Sequence, residues 1–206
     1  MKQWGLQNKR YVRIGNVVDT NVFSLRPTPQ ITEKPVQFAH VSWLRDDAKN
    51  ISGLLRVMAR LKEDPAMSGK KTRFHLRLVG EGNDQERLMT FAEELGLSPD
   101  YVTFVGARKG KALAEELHES DVLVMFSHYE NQPVSVLEAL SCGLPVVATA
   151  VGSLPVMLAQ NRGITVPSAD EEQLYQVLSA FITLRKGMTR EQLEDRTLDH
   201  ARREYV

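Results

Sequence analysis

From Val36 onward the apolar residues follow two alternating rhythms. Short, apolar-rich runs are separated by longer stretches in which apolar residues recur every three or four positions. The runs Val36–Val41, Arg73–Val79, Tyr101–Val105, Val122–Phe126, Pro145–Ala148 and Gly163–Val166 predict strands. Val122–Phe126 is an unbroken apolar run, as expected for a strand covered on both faces. The stretch Ala48–Leu61 predicts a helix, with Ile51, Leu54, Leu55, Met58 and Leu61 on one face. A second helix starts at an Asn83 or Asp84 cap, runs to Leu95 and ends at Gly96. Lys109–His118 is a third, and a short fourth opens at Pro133 and stops at Gly143. Two more follow, Asp170–Leu184 and Thr189 to about Glu204. The first of these carries Leu174, Val177, Leu178, Phe181 and Ile182 on one face.

Strand and helix thus alternate, which predicts an α/β fold. The expected architecture is a Rossmann-like, doubly wound parallel sheet with helices on both faces. Ahead of it, Arg26-Pro27-Thr28-Pro29-Gln30 and Lys34-Pro35 read as extended chain, because each proline biases its predecessor away from helix. Tyr11–Ile14 reads as a short strand within that lead. The expected division is a linker segment over 1–35, a single domain over 36–187 and a C-terminal helix over 188–206.

Candidate chemistry concentrates in the stretch from Ser127 to Thr149. It reads as strand end, acidic loop, short helix, glycine stop and buried strand. Glu130 follows the Val122–Phe126 run within a few residues, which places it at that strand's carboxyl end. Pro133 suits a helix start, having a fixed φ and no N–H. Counted from there, Glu138 falls in the second turn, so both carboxylates can share the rim of one crevice. In an open parallel sheet, ligands bind outside the carboxyl ends of the strands. A solvated helix glutamate is the competing reading of Glu138. Against it, Val134, Val136, Leu137, Ala139 and Leu140 leave little polar helix face. The backbone amides of Asn131, Gln132 and Val134, with the positive end of the helix dipole, suit a phosphate. An ordinary capped helix start is the alternative.

Composition narrows the classes. The chain has 206 residues, with 42% hydrophobic and 25% charged, ordinary for a globular protein with a real core. Lys plus Arg equals Asp plus Glu at 26 each, so global charge argues for neither nucleic acid nor an anionic membrane as partner. Cys142 is the one cysteine, so no disulfide forms within the chain and a reducing cytoplasm is expected. Between apolar helix and Gly143 it reads as a small core residue. No apolar run reaches the roughly 18 residues of a membrane span, and the start carries no apolar signal core.

Other loops offer weaker candidates. Val79-Gly80-Glu81-Gly82-Asn83 presents amides at a helix start, suited to an anion. No third glycine follows at dinucleotide spacing, and no Gly-Lys-Ser/Thr loop exists, which argues against nicotinamide and nucleotide-triphosphatase chemistry. Arg45 and Lys49 lie at or before a helix start, where the dipole disfavours cations. An anionic ligand is one reason for such placement, and a plain surface position is the other. His40, His75, His118, His128 and His200 show no metal-site spacing. Of these, His128, beside Glu130, is the one placed for function.

At this point an ordered set of motifs resembles a known family. Asn16-Val17-Val18-Asp19-Thr20-Asn21-Val22-Phe23 looks like a segment that joins the two domains of group 1 (family 4) glycosyltransferases. Leu78–Gly82, Leu95-Gly96-Leu97 and Val102–Gly106 follow that family's middle. Glu130-Asn131-Gln132-Pro133-Val134-Ser135-Val136-Leu137-Glu138-Ala139 is similar to its paired-glutamate signature, and Cys142–Thr149 and Val151-Gly152-Ser153 continue it. The match covers nearly the whole chain.

The resemblance implies the C-terminal, nucleotide-sugar-binding half of a two-domain GT-B enzyme. It implies a UDP- or GDP-sugar donor, transfer of a hexosyl group with retention, no metal or other cofactor, and a polysaccharide or glycan product. It also implies roles. Glu138 would bind the donor ribose, and Glu130 would lie at the donor sugar near the reacting carbon. Lys49, helped by Arg45, would contact the diphosphate. The backbone of Asn131, Gln132 and Val134 would contact sugar and phosphate, Gly80 would line the site, and Gly106 to Arg108 would lie near the base. Departures concern the donor. Ser42-Trp43-Leu44 stands where the family has Gly-Arg-Leu, with a one-residue insertion before Lys49. Val156 stands where a Glu often follows Leu-Pro, and Asn131 replaces the usual Gly.

The resemblance further implies an N-terminal, acceptor-binding half that is not in these 206 residues. The expectation is a domain from a longer protein, inactive in transfer by itself. Any membrane contact would run through that other half. Three readings compete: a non-catalytic nucleotide-sugar-binding module, a nucleotide-sugar 2-epimerase type enzyme and a nicotinamide enzyme. The proline-containing glutamate pair and the absent third glycine argue against the last two.

Overall fold

The computed structural model describes residues 15–25, 35–65, 73–160 and 162–184. The elements are β1 (Val36–Val41), α1 (Asp46–Lys49), α2 (Ile51–Glu63), β2 (Phe74–Val79), α3 (Gln85–Glu94), β3 (Val102–Gly106) and α4 (Lys111–Glu119). They continue with β4 (Val122–Met125), α5 (Val134–Ser141), β5 (Val146–Thr149), α6 (Leu154–Met157), β6 (Gly163–Val166) and α7 (Glu171–Leu184). The strands form one parallel sheet in the order β3-β2-β1-β4-β5-β6. This is the doubly wound α/β sheet that the alternating pattern predicts.

Successive side chains along a strand point to opposite faces, and here both faces are dry. Phe38, Leu76, Leu78, Val124 and Phe126 pack on one side beneath α2, α3 and α7. Their neighbours Ala39, Val79, Leu123 and Met125 pack on the other beneath α4, α5 and α6. Burying each Leu- or Phe-sized side chain contributes about 1.5–3 kcal/mol. Two such layers are what offset the entropy of ordering the chain.

The strands lie within a residue or two of the expected positions, and β1 and β6 have the expected bounds. The helix expected over Ala48–Leu61 is instead two helices. Asn50 adopts a left-handed conformation, φ 48° and ψ 45°, and breaks the run between α1 and α2. Gly53 makes the break fit, since a Cβ there would lie 2.5 Å from Asn50 Oδ1. Lys49 therefore closes a four-residue helix, where the dipole favours a cation, and does not open a long one. The sequence pattern also gave no sign of α6, a single turn after β5. The start of α4 is held back to Lys111 by Gly110, whose φ of 54° is not helical.

The predicted strand Tyr11–Ile14 and the helix from Thr189 lie outside the described residues. Residues 15–25 do not stand apart: Phe23 is buried among the side chains beneath α5. Among the described residues, no helix is long and apolar enough to cross a membrane.

Candidate functional site

The strand order reverses between β1 and β4. The chain leaves β1 through α1 and α2 towards β2 on one side, and leaves β4 through α5 towards β5 on the other. That divergence opens a crevice at the carboxyl ends of the two strands. The two loops at its rim are tied by backbone, as the amides of His128 and Tyr129 both donate to Ala48 O, at 2.9 and 3.2 Å.

One residue beyond this tie, Lys49 Nζ meets Glu130 Oε1 at 2.7 Å. Ser127 Oγ donates to the same oxygen at 2.8 Å. Glu130 is only 7% exposed, so its charge is compensated on the spot, as a buried carboxylate must be. Both partners use Oε1, and Oε2 has none among the described residues. Ser127 is fixed in turn by Thr149 Oγ1, which donates to Ser127 O at 2.6 Å.

Beneath this pair lies His40, fully buried in β1. Its Nδ1 is 2.9 Å from Val124 O and its Nε2 is 2.7 Å from Ser42 Oγ. A carbonyl only accepts, so Nδ1 carries the proton and the Ser42 hydroxyl donates to Nε2. Burial pushes the imidazole down to about 4, with the nearby Lys49 ammonium acting in the same direction. His40 is therefore neutral near pH 7.

The loop from Glu130 to Pro133 is held by its carbonyls. Glu130 O lies against Gly152, where a Cβ would sit 2.0 Å away, and Gly152 has a φ of 56°. Asn131 O accepts from Ser153 N at 3.0 Å and Ser153 Oγ at 2.5 Å. Gln132 O accepts from Asn16 Nδ2 at 2.7 Å. A trans peptide points its N–H away from its C=O. The amides of Asn131 and Gln132 are thus turned away from Gly152 and Ser153. Neither they nor the first-turn amides of Val134 and Ser135 have a partner among the described residues. Pro133 caps α5 without any side-chain hydrogen bond.

Glu138 sits on the same eight-residue helix, half-buried. Burial pushes its carboxyl above the ordinary 4.5, and no cation or hydrogen bond opposes that push. It has no side-chain partner among the described residues. An acceptor-only group left in this state calls for hydroxyl or amide donors from outside.

The other sequence candidates are not gathered here. Arg45 caps α1 and pairs with exposed Asp47 at 2.8 Å. The Gly80 amide already donates to Gly106 O at 3.0 Å, so it is not an open anion donor. Gly80 and Gly82 instead let backbones meet, since a Cβ on either would fall 1.9 Å from Ser42 O or 2.4 Å from Leu44 O. Gly106 and exposed Arg108 lie at the end of β3, two strands away from β1, with Arg108 Nε 3.8 Å from Glu116. The Gln132 side chain turns to Asn16, accepting from its N–H at 2.8 Å. His128, singled out in the sequence, has an exposed side chain and engages Ala48 through its backbone; His40 is the histidine beside the ion pair. His40, Ser42, Ser127, Thr149 and Asn16 were missed as site residues. A polar His inside an apolar strand was the one signal available for His40. Trp43 is 54% exposed and Tyr129 70% exposed. Among the described residues, no three His, Cys, Asp or Glu side chains cluster as metal ligands would.

Comparisons with known proteins bear on the family and the fold. The family described as "Glycosyl transferases group 1" matches residues 23–198. A D-inositol 3-phosphate glycosyltransferase of Stackebrandtia nassauensis is 36% identical over 159 residues, covering 73% of this chain and 34% of that relative. The chain spans about a third of the length of such curated relatives, 34% and 35% for two of them. Among solved structures, Anabaena HepE in complex with UDP and glucose superposes with a TM-score of 0.71 at 19% identity, over 92% of this chain and 50% of that one. The C-terminal domain of a group 1 family glycosyl transferase from Francisella tularensis gives 0.70 at 19% identity, over 92% of this chain and 98% of that one. At that identity the two structures speak for the fold.

Proposed function

The chain belongs to the group 1 glycosyltransferases, and from that premise we propose that it is the donor-binding half of an enzyme that transfers a hexosyl group from a nucleotide-diphosphate sugar. The observation that carries this reading is the state of α5. One short helix presents a half-buried carboxylate, Glu138, and N-terminal amides, none of them with a partner among the described residues. A nucleotide sugar offers both complements, a ribose diol for the carboxylate and a diphosphate for the amides.

The remaining roles are those that the resemblance to the family implies. Glu130 Oε2 reads the donor sugar near the reacting carbon, while Oε1 stays with Lys49 and Ser127. Lys49 supplies the cation nearest the diphosphate, with Arg45 held in reserve on the loop. The backbone of Asn131, Gln132 and Val134 contacts sugar and phosphate. Gly80 lines the wall, and Gly106 and Arg108 stand on the same sheet edge, towards the base. A fixed cation and oriented amides can stabilise a leaving diphosphate without a metal. The reading includes transfer with retention, a UDP- or GDP-sugar donor and a glycan or polysaccharide product. The acceptor is taken by another domain, so these 206 residues bind donor weakly and transfer nothing by themselves. The UDP complex of the Anabaena relative supports the choice of a uridine nucleotide as first probe.

Calorimetric or NMR titration with UDP-, GDP- and ADP-sugars tests the proposal. One nucleotide should bind, and Glu138→Ala should weaken it by roughly tenfold or more, as expected when a charged acceptor loses hydroxyl donors. Absence of binding by all three sinks the reading. A protein that also carries the acceptor domain and binds donor, yet releases no nucleoside diphosphate, would be a binding module.

A further inference from the structure

Resting on that reading of the site, we propose that Asn16 is a positioning residue: by gripping Gln132 it fixes the Gln132–Pro133 peptide and so the direction in which α5 offers its first-turn amides, those of Val134 and Ser135, to the ligand. The contact is twofold, with Asn16 donating both times. Asn16 Nδ2 donates to Gln132 O at 2.7 Å, and Asn16 N donates to Gln132 Oε1 at 2.8 Å, across 116 residues of sequence.

The segment that carries Asn16 is anchored at its far end too. Phe23 is buried, its carbonyl accepts from Ser141 Oγ, and Ser24 O accepts from His118 Nε2 at 2.9 Å. The segment thus reaches from the loop before α5 to the last residue of that helix. At the loop, Gly152 and Ser153 hold the carbonyls of Glu130 and Asn131, and Asn16 holds the next one. Gln132 O belongs to the peptide that enters Pro133, which has no N–H to fix it otherwise. Without Asn16 that peptide has no other anchor among the described residues, and the direction of the first turn is set by Pro133 alone.

NMR on the 206-residue chain tests this with UDP as probe. Asn16→Ala should weaken UDP roughly three- to tenfold, the worth of one neutral hydrogen bond transmitted to the loop. Backbone order parameters at Val134 and Ser135 should fall from about 0.85 towards 0.6, with the sheet unchanged. Asn16→Asp, which keeps the shape and loses the donor, should behave alike. Ser141→Ala, which frees the far end of the segment, should leave UDP affinity within about twofold. Parental affinity in Asn16→Ala overturns the assignment. So does an equal loss in Ser141→Ala, which would credit docking of the whole segment. If the parent itself shows no UDP binding, the donor reading fails, and the order parameters alone decide whether Asn16 positions the loop.

Discussion

Glu130 and Glu138 stand eight residues apart at one crevice, and their surroundings are opposites. Glu130 is nearly buried and has a lysine and a serine on one oxygen. Glu138 is half-buried and has no side-chain partner among the described residues. A carboxylate with its partners in place is part of the fold. A carboxylate without them is held at a cost in stability, which is tolerated where a ligand supplies the donors. The contrast separates what the scaffold needs from what the site is for, and three measurements act on it.

The largest effect should come from breaking the partnered side. Lys49→Met leaves a 7% exposed carboxylate with one hydroxyl for company. Losing one member of a buried pair costs about 3–5 kcal/mol, and the lower end applies because the Lys49 side chain is 20% exposed. Urea unfolding at pH 7 should show this loss, and Lys49→Met combined with Glu130→Gln should recover at least half of it. An unchanged midpoint in the single variant would mean that Glu130 is compensated by something other than Lys49.

Next comes His40, beneath the same pair. Its pKa is lowered from 6.5 to about 4, so between those values the unfolded chain binds more protons than the folded one. Its contribution is fully present above pH 6.5 and is lost as pH falls through about 4. At 1.36 kcal/mol per unit this amounts to about 3 kcal/mol. His75, also lowered by burial, acts in the same direction. Stability that stays flat from pH 6.5 to 5, above the ordinary carboxylate range, would falsify a buried neutral His40.

How much of this was legible beforehand follows from the same contrast. Apolar runs report burial directly, so the strands and most helices were readable from Val36 to Leu184. The break at Asn50 was not, because it rests on a left-handed residue and a contact with Gly53 that no periodicity records. Glu130 and Glu138 stood out as carboxylates in an apolar stretch. Their environments did not, since Lys49 lies 81 residues from Glu130 in sequence. The Gly80 and Gly82 pair read as an anion loop, yet its spacing serves backbone approach to Ser42 and Leu44. Asn16 was legible as part of a motif, but its grip on Gln132 depends on how the lead segment lies along α5.

The smallest effect should also have the opposite sign. Burial raises the Glu138 pKa above 4.5, so the folded chain holds the proton longer than the unfolded chain does. The contribution to stability is therefore full below pH 4.5 and is lost as pH rises through the folded value. Glu138→Gln removes that penalty while keeping the shape. Its thermal midpoint should rise slightly at pH 7 and match the parent near pH 4, while affinity for the nucleotide falls. A Lys49→Met chain loses stability; a Glu138→Gln chain gains it and loses ligand. A midpoint that drops at both pH values would mean that Glu138 already has a partner within the fold. The two carboxylates would then differ only in degree, and the ligand-binding reading of Glu138 would lose its physical basis.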